Sequence, residues 1–277
     1  MIPELRLGLT TPLRTFGNLA IRSLALIAGV FGMAAVLQAE DPPVVPNAQP
    51  GEERLLSLGE NSYSLIMPPN YNRKYSYPLV VFLDASTGTA TKVFLSSSFR
   101  SRHPTFAVVP RVPKNGGPNP GSWSNYKANA AETEWTFTWN GTLTPGGKFV
   151  TDLIRTLIKQ YPINPNRVYL TGLSDGAFGT SEITAFNNQL ITAALTISGA
   201  GDLRYAKNVV NVPFWAIHGT KDPTVKVQMD RDWVAAVKAA GGTLIRFTEI
   251  PDGQHTVWNQ VYEDPATWDW LFAQRSR

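Results

Sequence analysis

Arg167-Val168-Tyr169-Leu170-Thr171-Gly172-Leu173-Ser174-Asp175-Gly176-Ala177 carries two signals in one short stretch. The first five residues are β-rich and read as a strand, whereas Asp175 onward has small residues and helical character. Between them, Gly172-Leu173-Ser174-Asp175-Gly176 matches G-x-S-x-G. A sharp strand-to-helix turn strains the serine backbone, and small neighbours let the turn approach the sheet. It also sets the hydroxyl at the positive end of a helix, where a developing oxyanion is stabilised.

Working outward, apolar runs alternate with helical patterns on both sides of this turn. Ser62–Met67, Tyr77–Leu83, Thr105–Val109, Ile191–Ile197, Val212–His218 and Thr243–Ile250 read as strands. Tyr77–Leu83 is apolar almost throughout, as in a central strand covered on both faces. Helices are expected over Phe149–Ile158, Ser174–Phe186, Val227–Ala240 and Pro265–Ala273. Such alternation implies an α/β fold, a mostly parallel central sheet flanked by helices. Sites in such sheets gather at the carboxyl ends of the strands.

A serine hydroxyl needs a base, and the chain has 3 histidines. His103 precedes a strand, at the wrong end of the sheet, and reads as a surface residue. His218 ends a strand and suits a structural hydrogen bond. His255 lies in a loop after Thr243–Ile250, from which it can reach back over the strand ends, and is the expected base. Asp222, just past the strand ending at His218, is the expected acid that fixes the imidazole tautomer. Asp202 is the alternative acid, and Asp252 reads as a turn residue. The oxyanion hole is expected from the backbone N–H of Asp175 and from the loop after Leu83, around Ser86. The Asp175 carboxylate itself should point away from that hole.

Residues 111–147 interrupt the alternation. They are rich in Gly, Pro and Asn but contain Trp123, Trp135, Phe137 and Trp139. Two readings stay open: an ordered excursion that walls a substrate site, or aromatics that pin a loop to the body. On the first reading Trp123, Trp135 and Trp139, with Trp258 beside His255, are substrate-binding candidates.

Composition excludes several classes. The chain has 277 residues, 43% of them hydrophobic, a formal charge of +4 and no cysteine. Thiolate metal sites, disulfides and a cysteine nucleophile are therefore excluded. No basic stripe points to nucleic acid. No histidine–carboxylate cluster has metal-ligand spacing, so no metal or other cofactor is expected, and a chelator should leave activity intact.

The N-terminus reads as a targeting signal over residues 1–39. Arg6, Arg14 and Arg22 precede the apolar run Leu24–Leu37, which is shorter than the roughly 20 residues of a comfortable membrane span. Leu37-Gln38-Ala39 offers a cleavage site. An uncleaved anchor is the alternative and the sole expected membrane contact; both readings imply a secreted or periplasmic protein. Residues 40–53 read as a linker and 54–277 as the catalytic domain.

These residues together resemble a family of secreted esterases, also known as predicted peptidases, related to polyhydroxybutyrate depolymerases and to feruloyl or acetylxylan esterases. The likeness spans roughly residues 62–273. It is carried by Asn164-Pro165-Asn166-Arg167-Val168-Tyr169-Leu170-Thr171-Gly172-Leu173-Ser174, by Pro213-Phe214-Trp215-Ala216-Ile217-His218-Gly219-Thr220-Lys221-Asp222-Pro223 and by His255-Thr256-Val257-Trp258-Asn259. The resemblance implies an α/β-hydrolase fold, the triad Ser174, Asp222 and His255, and a small or polymeric ester as substrate. It departs at Asp84-Ala85, where the family has His-Gly, and at Gly176-Ala177, where it has Gly-Gly. The first departure changes how the oxyanion loop can bend. Losing one oxyanion donor costs about 10²–10³ in rate. Ester hydrolysis is therefore the expected activity, with peptide hydrolysis and a binding protein of weak turnover as alternatives.

Overall fold

The computed structural model describes residues 51–113, 121–129 and 134–276. The expected targeting segment 1–39 and most of the expected linker lie outside these residues. Strand β1 (Glu53–Leu58) takes up the end of that linker and pairs antiparallel with β2 (Asn61–Ile66). Next come β3 (Tyr77–Leu83), α1 (Thr89–Leu95), α2 (Ser97–Arg102) and β4 (Phe106–Pro110). A two-stranded hairpin, β5 (Tyr126–Ala128) and β6 (Trp135–Phe137), precedes α3 (Pro145–Gln160). The second half runs β7 (Ile163–Leu173), α4 (Asp175–Phe186), β8 (Ala193–Ile197), a 3-10 turn Leu203–Val209, β9 (Phe214–Gly219), α5 (Val227–Ala239), β10 (Ile245–Ile250), α6 (Trp258–Glu263) and α7 (Pro265–Ala273).

The main sheet has the order β1-β2-β4-β3-β7-β8-β9-β10. From β4 to β10 every pairing is parallel, and the β1–β2 hairpin joins antiparallel at the β4 side. Parallel neighbours need crossovers, and the helices supplying them cover both faces. The alternation within β3 divides the core: Leu79, Val81 and Leu83 pack with α3 and α5, whereas Val80 and Phe82 pack with α1, α2, α6 and α7. All seven β3 residues are buried.

Helix α3 is longer than Phe149–Ile158. Thr144 caps it by accepting from Gly147 N at 2.9 Å, and Pro145 occupies its first turn. Proline is tolerated there because that N–H has no intrahelical partner. His103 differs from its surface reading. Its ring stacks on Phe272 at 4.6 Å and lies 3.3 Å from Asp269, with the side chain 9% exposed. Burial pushes its pKa down. Among the described residues, no helix is long and apolar enough to cross a membrane.

Candidate active site

Ser174 sits between β7 and α4 with φ 53 and ψ −119. A serine rarely adopts this backbone, and it is held there by three bonds. Its N–H donates to Ile197 O at 3.0 Å, and its carbonyl accepts from Ala177 N and Phe178 N at 2.9 and 3.2 Å. The turn is also closed sterically. A Cβ on Gly176 would lie 1.8 Å from Leu83 O, so no side chain fits while β3 keeps its place. Gly176→Ala should therefore destabilise the protein by about 3 kcal/mol or more. Chemical denaturation checks this, and an unchanged midpoint would contradict it.

Three loops bring the polar groups together at the carboxyl ends of the strands. His255 Nε2 lies 3.0 Å from Ser174 Oγ, and its Nδ1 lies 2.7 Å from Asp222 Oδ2. The other Asp222 oxygen accepts from Thr224 N at 2.8 Å and Val225 N at 2.9 Å, which fixes the carboxylate plane. The loop bearing His255 is stitched to the loop bearing Asp222. Lys221 N donates to Gly253 O at 2.9 Å, and Asp252 N donates to Thr220 Oγ1 at 2.8 Å. A Cβ on Gly219 would come within 2.3 Å of Gly253 O, so glycine permits that approach. Ser198 Oγ donates to His255 O at 2.8 Å from the β8 side. Trp258 meets the His255 ring edge-to-face at 4.9 Å.

Asp222 is strongly biased toward its charged form. Burial pushes Asp222 up, but hydrogen bonds from His218, His255 and the Val225 N–H outweigh it and hold the carboxyl well below the usual range. A hydroxyl, an imidazole and a carboxylate in this line can move a proton off Ser174 Oγ and stabilise the imidazolium that results. Asp202 has a different task. It caps the 3-10 turn through Arg204 N at 3.0 Å and binds the Arg204 guanidinium. Asp252, at φ 57 and exposed, shapes its turn and pairs with Lys221.

The residues expected around the oxyanion position form one braced unit. The Asp175 carboxylate accepts from Ser122 Oγ, from Trp123 N at 3.0 Å and from Tyr126 OH. Burial nevertheless pushes its pKa up. The Trp123 indole N–H in turn donates to Asp84 O at 3.2 Å. The Asp84 carboxylate is consumed within its own loop, accepting from Thr87 N at 2.8 Å, Thr87 Oγ1 at 2.7 Å and Ala90 N at 3.2 Å. The bend is supplied by Ser86 at φ 64 and Gly88 at φ 73. The loop after β3 thus obtains its sharp turn two positions beyond Asp84, without a glycine at Ala85.

The aromatic excursion divides between the two readings. Trp123 and Trp139 are each 1% exposed, so neither can line a substrate cleft; both belong to the core. The indole N–H of Trp139 donates to Ser124 Oγ at 2.9 Å. Trp258 is buried against the His255 ring rather than facing outward. Trp135 stays half-buried on the hairpin, with its indole N–H on Thr224 O at 3.0 Å. With Tyr126, Phe137 and Met229 it packs over Phe178, Ala200 and Val225, next to the loop of Asp222.

Two further features were not foreseen. Glu182, seven residues after Asp175 on α4, accepts from Ser124 Oγ at 2.6 Å and Asn125 N at 2.9 Å. The α4 face thereby grips the excursion twice. Asp230 of α5 lies against His218, with Nδ1 to Oδ2 at 2.8 Å. Its signal in the sequence is a carboxylate at a core position of an amphipathic helix, in register with Trp233, Val234 and Val237. A cavity of about 500 Å³ lies between α1, α2, α6 and α7 and is lined by none of Ser174, Asp222 and His255. Among the described residues, no group of three His, Asp or Glu could hold a metal ion.

Comparison with known proteins agrees with this architecture. Residues 147–268, which include Ser174, Asp222 and His255, match the phospholipase/carboxylesterase family model. A probable acetylxylan esterase of Aspergillus clavatus is 23% identical over 190 residues, covering 66% of this chain and 56% of that protein. The crystal structure of a thermostable esterase is 28% identical with a TM-score of 0.68, covering 81% of this chain and 63% of its own. The chain thus spans less than two thirds of the length of either. A ferulic acid esterase of Anaeromyces mucronatus shares the fold, with a TM-score of 0.56 at 16% identity over 80% of this chain and 88% of its own. By fold the chain is an α/β hydrolase, and the family model and relatives it is similar to are those of carboxylesterases and other esterases.

Proposed function

We propose that the protein is an exported serine hydrolase that cleaves carboxylic esters through an acyl-enzyme. The observation that carries this reading is the unbroken line from Ser174 Oγ to His255 at 3.0 Å and on to Asp222 at 2.7 Å. Ser174 Oγ attacks the ester carbonyl carbon while His255 Nε2 takes the hydroxyl proton. The carbonyl oxygen becomes an oxyanion held by the Asp175 N–H and an amide of the loop at Ser86. Collapse expels the alcohol, which receives the proton from His255. Water then attacks the acyl-serine with His255 again as base, and the acid leaves as Ser174 regains its proton. Asp222 remains a carboxylate throughout and holds the imidazole tautomer.

Relatives named for acetylxylan and ferulic acid esters favour an acyl group carried on a carbohydrate, and a short aliphatic polyester is the second candidate. The half-buried hairpin aromatics Tyr126 and Trp135, beside the Asp222 loop, provide apolar surface for either. The test is a rate comparison on methyl ferulate, acetylated xylan, a p-nitrophenyl ester, polyester film and a peptide anilide. Ester turnover well above anilide turnover is expected; no ester turnover above the buffer rate would sink the reading. Export is tested by N-terminal sequencing of protein recovered outside the cytoplasm, where a mature chain beginning at Glu40 is expected.

A further inference from the structure

His218 is fully buried at the end of β9 and is surrounded by acceptors. Its Nε2 lies 2.8 Å from Val225 O and 3.2 Å from Asp222 Oδ2, and its Nδ1 lies 2.8 Å from Asp230 Oδ2. A carbonyl only accepts, so Nε2 must carry a proton; Nδ1 faces a carboxylate and is best matched by a second one. The Asp222 oxygen that meets His218 is also the oxygen that meets His255. Two histidines therefore hold one carboxylate oxygen from opposite partners.

The arrangement is costly to stability. Asp230 is fully buried, its Oδ1 has no hydrogen-bond partner, and burial pushes its pKa up. Apolar side chains replacing such a buried pair are often neutral or stabilising, whereas removing one partner alone is strongly destabilising. Burial pushes His218 down, but its bonds to Asp222 and Asp230 outweigh this and raise it to about 10. Glu249 of β10 is paired in register with His218 and is bound by Arg231 at 2.6 and 2.9 Å.

We propose that His218 and Asp230 are positioning residues: together they hold the Asp222 carboxylate in line with His255 and draw off part of its charge. The inference rests on the reading of Ser174, His255 and Asp222 as the triad. Sharing the carboxylate between two N–H donors weakens its hold on the His255 proton. Without His218, that carboxylate would act on His255 alone and favour its protonated form.

The test is the double variant His218→Gln with Asp230→Asn, which removes the two charges together and keeps a hydrogen-bonding side chain at each position. At unchanged KM, kcat should fall about tenfold through misalignment. The acid limb of the kcat/KM profile should move up by about 0.5–1 pH unit. A folded double variant with wild-type kcat and an unmoved limb would overturn the proposal. The wild-type protein gives a second readout that does not depend on the variant folding. Nitrogen-15 resonances of His218 at pH 8 should show both ring nitrogens protonated, and a neutral ring would overturn it equally. Ser174→Ala retaining wild-type turnover would instead remove the triad reading, an outcome that the His218 resonances do not affect.

Discussion

Ser174→Ala should lower kcat for ester hydrolysis by about 10⁶-fold. The hydroxyl has one hydrogen-bond partner in the site, His255 Nε2, and the turn is held by backbone bonds that alanine keeps. Stability should therefore stay close to that of the wild type, so the loss can be assigned to chemistry. Residual hydrolysis above the buffer rate, about 10³-fold, is expected from the oxyanion donors and binding alone. Stopped assays with circular dichroism on the same sample separate the two effects. A folded variant within tenfold of wild type would contradict the assignment.

Asp222→Asn should cost about 10⁴ in kcat by a different route. The side-chain oxygen of asparagine would remain on Thr224 N and Val225 N, which hold the present Oδ1 at 2.8 and 2.9 Å. That places the amide NH₂ where Oδ2 now meets both His255 and His218. Facing a donor, His255 Nδ1 must become an acceptor, and the ring proton moves to Nε2. Nε2 then points a proton at Ser174 and cannot take one from it. The His218 N–H meets the same donor, so some loss of thermal stability should accompany the loss of rate. Activity within tenfold of wild type in a folded protein would contradict Asp222 as the acid.

Much of this fold was legible because its central strands are nearly unbroken apolar runs. Tyr77–Leu83 was read with its observed bounds, and the strand-to-helix turn at Ser174 followed from Gly172, Gly176 and the change of period. Strand β7 begins already at Ile163, which pairs with Tyr77; the register then shifts, and residues 164–167 form an irregularity before Val168 pairs with Leu79. The excursion was less readable. Indole rings look the same in a sequence whether they face a cleft or a core, and Trp123 and Trp139 proved to be core. What decides their place is half-buried Asp175 and buried Glu182, two carboxylates of α4 that bind the excursion through backbone and hydroxyl donors.

The Asp84-Ala85 departure shows the same limit. From sequence it implied a change in how the oxyanion loop bends. In the structure the carboxylate closes its own turn, Ser86 and Gly88 supply the bend, and the loop carbonyl is tied through Trp123 to Asp175. His218 was read as structural from its strand end. Its role depends on Asp230, which lies twelve residues away and meets it only once α5 has packed.

The most direct measurement is reaction of the intact protein with a fluorophosphonate, followed by mass mapping of the adduct. One adduct per chain, on Ser174, is the predicted result, formed far more slowly in His255→Ala. No adduct, or an adduct on Ser86 or Ser198 with Ser174 unmodified, would contradict Ser174 as the nucleophile.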